Sequence, residues 1–205
     1  SPRALRALVF AFAVVAFLAV AVRADEPIAK EKHATVTAAG WTVALHRVRP
    51  VTLVAGREPV VFFHGYLENH RYYDLAPGAS LAEHLAHEGF DCWIVEFRGA
   101  GESEKPSLLD FDGWTYSVDD YIHGDAPAAI DYVLATTGDD QVMCLGHSMG
   151  GLTVYGYLAS ESPAKVKAAV TLAGAGKMGL AESQRLSTLL MLLAGLAAEE
   201  KLPFD

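Results

Sequence analysis

QVMCLGHSMGG, residues 141–151, is the most informative segment of the chain. It starts with a short apolar run typical of a buried strand and continues as Gly146-His147-Ser148-Met149-Gly150, before a helical pattern that reaches about residue 161. A Gly-x-Ser-x-Gly segment between a strand and a helix predicts a tight bend that exposes the serine hydroxyl. Glycine is expected two residues before and after the serine, because larger side chains there would collide with neighbouring elements. The first turn of the helix also places unpaired backbone N–H groups and the positive end of the helix dipole beside the serine.

Working outward from this bend, strand-like and helix-like segments alternate. Residues 33–37 and 41–49 alternate apolar and polar side chains around Ala38-Ala39-Gly40, which predicts a hairpin. Continuous apolar runs predict buried strands at residues 59–63 and 91–97, and a further strand is predicted at 166–173, with helices near residues 80–88 and 118–136. Strands that alternate with helices indicate an α/β fold, with a mostly parallel sheet covered by helices on both faces.

Two further motifs end the strands that precede the bend. His64-Gly65-Tyr66 follows the run at 59–63, and RGAGES, residues 98–103, follows the run at 91–97. Together with the serine motif, and in this order, they resemble the α/β-hydrolase superfamily over residues 33–175. A weaker similarity, at residues 116–120 and 125–131, resembles acid lipases of the gastric type.

The resemblance implies an α/β-hydrolase fold in which Ser148 is the nucleophile and forms an acyl-enzyme. It also implies an oxyanion hole made by the backbone N–H groups of Tyr66 and Met149. Structural roles in the bend and in the oxyanion loop are expected for Gly146, His147, Gly150, His64 and Gly65.

The expected function is therefore that of a serine hydrolase acting on carboxylic esters, similar to an esterase or lipase, with a small-molecule or lipid ester as substrate. Two alternatives remain open. One is a non-catalytic lipid-binding protein with the same fold, and the other is a different acyl-transfer enzyme, such as a peptidase or acyltransferase.

A serine hydroxyl needs a base, and this superfamily places the acid and the histidine after the serine in the chain. All eight histidines precede Ser148. The sequence thus assigns neither the catalytic acid nor the histidine. We expect a fragment that lacks the last strands of the sheet, with the binding protein as the alternative.

The first 24 residues differ from the rest of the chain. Arg3 and Arg6 precede the apolar residues 7–22, and small residues follow near Ala24. This pattern predicts a signal peptide and an exported protein, secreted or periplasmic, with a membrane anchor through residues 7–22 as the alternative. Residues 25–175 are expected to form the hydrolase core. The leucine-rich residues 176–205 are expected to begin a cap or lid, or to form a core helix.

Composition excludes several other classes of protein. A formal charge of -9 without a basic stripe argues against nucleic acid as a partner. Cys92 and Cys144 are expected to be buried free thiols, because another strand should separate theirs. No clustered histidine, cysteine and aspartate spacing indicates a metal, and no phosphate-binding loop indicates a nucleotide, so no cofactor is expected.

Overall fold

A six-stranded sheet organises the part of the chain that the computed structural model describes, residues 27–107, 109–110, 113–160 and 162–174. The eight strands in chain order are β1 (Ile28–Val36), β2 (Thr42–Pro50), β3 (Val60–Phe63), β4 (Asp74–Ala76), β5 (Ala79–Ser80), β6 (Cys92–Glu96), β7 (Val142–His147) and β8 (Val166–Leu172). The main sheet has the order β1-β2-β6-β3-β7-β8, and β4 pairs with β5 separately. Strands β6, β3, β7 and β8 are parallel, whereas β1 and β2 form the antiparallel hairpin predicted from alternation.

Helices follow the predicted positions closely. They are α1 (Leu81–His87), α2 (Val118–Asp120), α3 (Ala126–Thr137) and α4 (Met149–Ser160), with a π-helical turn at Tyr121–Asp125 and 3-10 turns at His70–Tyr72 and Pro163–Lys165. The Ser80 hydroxyl accepts from the Glu83 N–H and begins α1, and Gly138 ends α3 in the left-handed conformation. Both ends follow the usual preference for serine before a helix and glycine after it.

Helices cover both faces of the sheet, as predicted. Side chains alternate along β3, so Val61 and Phe63 pack with α3 and α4, whereas Val60 and Phe62 pack with α1. Each face therefore has its own apolar core. The two cysteines are buried and free, as expected, because β3 lies between their strands.

Three features differ from the prediction or lie outside it. The pair β4–β5 and the π-helical turn were not predicted, and β7 extends two residues further, through His147. The predicted leader at residues 1–24 and the predicted cap or core helix at 176–205 fall outside the described residues. Within those residues, no helix is both long enough and apolar enough to cross a membrane.

The parallel strands place the predicted motifs together. The carboxyl ends of β3, β6 and β7 lie at one edge of the sheet, and each is followed by one motif. In sheets of this type, ligands bind beside the carboxyl ends of the strands.

Candidate active site

Ser148 occupies a sharp bend between β7 and α4. Its φ angle is 48°, in the left-handed region that costs a non-glycine residue about 1–2 kcal/mol. Its N–H donates to the Leu172 carbonyl of β8 at 2.8 Å, and α4 begins at the next residue. The half-buried Ser148 is thus held at a strained turn rather than within a regular helix.

The glycines of the bend have no room for a side chain. A Cβ on Gly146 would lie 2.5 Å from the Gly150 carbonyl oxygen, and a Cβ on Gly150 would lie 2.0 Å from the Phe63 carbonyl oxygen. Backbone atoms cannot move aside as a flexible side chain can. The bend therefore packs directly on the end of β3, where the predicted oxyanion loop starts.

His64 braces that loop from inside the protein. Its side chain is buried, its Nε2 accepts from the Phe97 N–H at 3.2 Å, and its Nδ1 lies 2.8 Å from the Gly65 carbonyl oxygen. These two contacts assign the proton to Nδ1. Burial lowers the pKa of His64, so the ring stays neutral and joins β6 to the oxyanion loop.

A carboxylate links the oxyanion loop to the serine bend. Glu68 accepts from the Gly65 N–H at 2.6 Å, and its other oxygen lies 3.0 Å from Nδ1 of His147. Tyr72 stacks on the His147 ring, with 4.4 Å between centroids. No role for Glu68 could be predicted from the sequence. His147 is distant from it in the chain, and the contact with Gly65 involves only a backbone group.

Arg98 anchors the turn after β6. Its backbone N–H and its guanidinium donate to the two carboxylate oxygens of Asp125 at 2.7–2.9 Å, and both side chains are buried. Burial raises the pKa of the Asp125 carboxyl, and the contacts with Arg98 oppose that effect. Asp125 ends the π-helical turn, which brings its carboxylate to Arg98.

A cleft of about 840 Å3 opens beside the bend, a volume within the range typical of ligand sites. Its lining includes Tyr66, Met149, Phe97, Trp114 and Tyr116, but not Ser148 itself. The cleft thus adjoins both residues predicted to form the oxyanion hole.

The aromatic residues near the motifs have different environments. Trp114 lines the cleft. Tyr73 is a core residue whose hydroxyl donates to the Phe63 carbonyl at 3.0 Å. His123 is exposed on the π-helical turn and does not line the cleft.

Glu96, at the end of β6, is a fully buried carboxylate. Burial favours the protonated form, but contacts with His46, His70 and the Glu102 N–H outweigh it and hold the pKa of Glu96 well below its usual value. Among the described residues, the side chains of His46, His70 and Glu96 form the one group that could hold a metal ion.

Sequence and structure comparisons place the chain in a family. Residues 58–204 match the α/β-hydrolase fold family, and the chain therefore belongs to it. Among its relatives, Lipase 3 from Drosophila melanogaster is 36% identical over 76% of this chain and 42% of its own length. The human lysosomal acid lipase/cholesteryl ester hydrolase is 34% identical over 67% of this chain and 36% of its own length.

The fold has counterparts among solved structures. The esterase RhEst1 from Rhodococcus sp. ECU1013 matches with a TM-score of 0.54 and 26% identity, covering 72% of this chain and 47% of that one. The chain spans less than half the length of these relatives.

We predict that Gly150→Ala destabilises the protein by about 3 kcal/mol, near the upper end of the usual cost of overpacking. The added methyl group would meet the backbone of β3, which cannot move without distorting the sheet. Urea unfolding measures the loss. Gly78→Ala is the control, because its methyl meets no atom within 4 Å and only its left-handed backbone costs about 1 kcal/mol. Equal losses in the two variants would contradict the close contact.

Asp125→Ala should cost about 3–5 kcal/mol, because it leaves the buried Arg98 charge without its partner. Asp131→Ala, on the same helical segment, removes an exposed pair with Lys165 and should cost less than about 1 kcal/mol. Chemical denaturation of both variants gives the difference. A small loss in Asp125→Ala would show that Arg98 finds other partners.

Proposed function

We propose that the protein hydrolyses carboxylic esters, with Ser148 as the nucleophile. The observation that carries this proposal is the strained left-handed bend at Ser148, between a buried strand and the first residue of α4. A serine in a regular helix or sealed in the core could not reach a substrate. The bend lies beside a cleft, and the similar relatives include lipases and an esterase.

In the proposed reaction, Ser148 Oγ attacks the ester carbonyl carbon, and the hydroxyl proton passes to a base. The oxyanion accepts hydrogen bonds from the N–H groups of Tyr66 and Met149. Met149 supports this role because the first N–H of a helix has no partner within the helix. The alcohol leaves with a proton from the base, and water then hydrolyses the acyl-enzyme and restores the serine.

The base in this scheme is a histidine oriented by a carboxylate, in the order usual for the family. His64 does not suit the role, because both of its ring nitrogens already contact backbone groups. His147 contacts Glu68 and supports the bend from the side. Neither of these two histidines is therefore assigned as the base.

Lipid esters are the proposed substrate class. Phe97, Val118 and Met149 give the cleft an apolar wall, and Tyr66 and Leu67 are exposed at its lining. An acyl chain gains free energy by leaving water for such a surface. The lipase relatives support the same class.

We also propose that the protein is exported, with residues 1–24 as a leader and membrane association through residues 7–22 as the alternative. The basic start followed by an apolar run supports this location.

The central prediction concerns Ser148→Ala in the full-length protein. This substitution should abolish labelling by a fluorophosphonate probe and lower ester hydrolysis by up to about a millionfold, because no other group supplies the attacking oxygen. Mass spectrometry of the labelled peptide and a p-nitrophenyl ester assay measure the two effects. Ser160→Ala, at the end of α4, should behave like the unsubstituted protein.

The outcomes separate the candidate functions. Labelling that persists in Ser148→Ala contradicts the proposal. Binding of fatty acyl esters without turnover would indicate the lipid-binding alternative. Cleavage of an aminopeptidase substrate instead of an ester would indicate a peptidase.

Glu68→Ala should lower kcat by about ten- to a hundredfold and leave KM nearly unchanged. The loss corresponds to one charge-assisted hydrogen bond of roughly 1.5–3 kcal/mol that holds the oxyanion loop in place. Glu68→Gln keeps an acceptor for the Gly65 N–H and should recover part of kcat. The exposed Glu88→Ala is the control. A rise in KM alone would place Glu68 in substrate binding rather than in positioning.

A further inference from the structure

Two histidines and a glutamate from separate segments converge behind the cleft. They are His46 on β2, His70 on the 3-10 turn after β3, and Glu96 at the end of β6. One ring nitrogen of His46, one ring nitrogen of His70 and a carboxylate oxygen of Glu96 all lie within 4.8 Å of one another. We refer to these three side chains as the His46 cluster.

The sheet itself brings two members together. In the antiparallel pairing of β2 with β6, Glu96 lies opposite Ala44, two residues from His46. Side chains two residues apart on a strand share a face, so His46 and Glu96 are diagonal neighbours on one side of the sheet. His70 is then held over them by its own N–H, which donates to Glu96 at 3.1 Å.

One nitrogen of the cluster lacks a hydrogen bond. His46 is 92% buried, and its Nε2 makes no hydrogen bond in the described structure, although it lies 3.2 Å from a Glu96 oxygen. An unsatisfied buried polar group is costly and calls for a ligand. Nδ1 of His70, by contrast, lies 2.7 Å from the other oxygen of Glu96.

We propose that His46, His70 and Glu96 bind a divalent transition-metal ion of the Zn2+ type, which ties the wall of the cleft to the sheet. Two imidazoles and one carboxylate are a donor set that Zn2+ uses commonly. The metal would occupy the position to which Nε2 of His46 points. This proposal does not depend on the proposed ester hydrolysis.

Small rotations would complete the geometry. Ligand atoms around tetrahedral zinc are about 3.4 Å apart, given bonds of about 2.0–2.2 Å. The Glu96 oxygens already lie 3.2 Å from His46 and 2.7 Å from His70, and no ligand atoms of the cluster are more than 4.8 Å apart. The two imidazole rings are stacked, with 3.8 Å between centroids, and must turn to direct both lone pairs at the ion. His70 also lines the cleft, which leaves a route for the ion and a place for a water ligand.

This inference revises the expectation of no metal site. The three residues are separated by 24 and 26 positions in the chain, so no short spacing motif identifies them. Only the pairing of β2 with β6 and the position of the 3-10 turn make them neighbours.

The experiment uses the full-length protein after removal of metals with a chelator. Titration with Co2+ should give visible d–d absorption that saturates at one equivalent, and Zn2+ should abolish that absorption by displacement. Zn2+ should also raise the midpoint of urea unfolding, since a ligand that binds only the folded state stabilises it.

His46→Ala and His70→Ala should each abolish the Co2+ spectrum. The matched control is the double variant His84→Ala and His87→Ala, which removes an exposed histidine pair on α1 and should bind Co2+ normally. Glu96→Gln preserves the shape of the side chain and should weaken binding.

Two results would overturn the proposal. The first is the absence of both the Co2+ spectrum and the Zn2+ shift in the unsubstituted protein, a result that does not require any variant to fold. The second is binding that survives in His46→Ala but disappears in the His84/His87 variant, which would assign it to the protein surface.

Discussion

The structure depends on the close contact between the serine bend and the end of β3. Gly150 lies so near the Phe63 carbonyl that a methyl group could not fit between them. At this contact the Ser148 backbone is left-handed, and Met149 and Tyr66 line the same cleft. The cost of the left-handed turn is offset by packing on both sides, as expected for strain at functional sites.

Buried charged groups hold the loops around that contact. Asp125 holds the turn after β6 through Arg98, and Glu96 accepts from the Glu102 N–H at 2.5 Å in the same turn. Glu68 likewise connects the loop after β3, through the Gly65 N–H, to the His147 side chain. Irregular backbone at the carboxyl ends of parallel strands has no ladder partners, so carboxylates satisfy its N–H groups instead. These bonds fix the loops that line the cleft to the ends of the strands.

Much of this arrangement could be predicted from local pattern. Apolar runs predicted β3, β6, β7 and β8. The alternation of apolar and polar side chains predicted the hairpin of β1 and β2, and glycines predicted the ends of helices. The short pair β4–β5 escaped prediction because strands of three and two residues carry almost no periodic signal. The π-helical turn was not predicted because its sequence resembles that of an ordinary helix. The turn is explained by Asp125 at its end, which pairs with the buried Arg98.

By itself, the sequence determined the class of fold, the serine bend and the two loops that accompany it, because each is encoded in neighbouring residues. Only the tertiary structure decided which side chains meet across the sheet. Glu68 with His147, Arg98 with Asp125, and His46 with His70 and Glu96 are pairs or groups distant in the chain. Strand register and loop position create these contacts, and no local pattern encodes either.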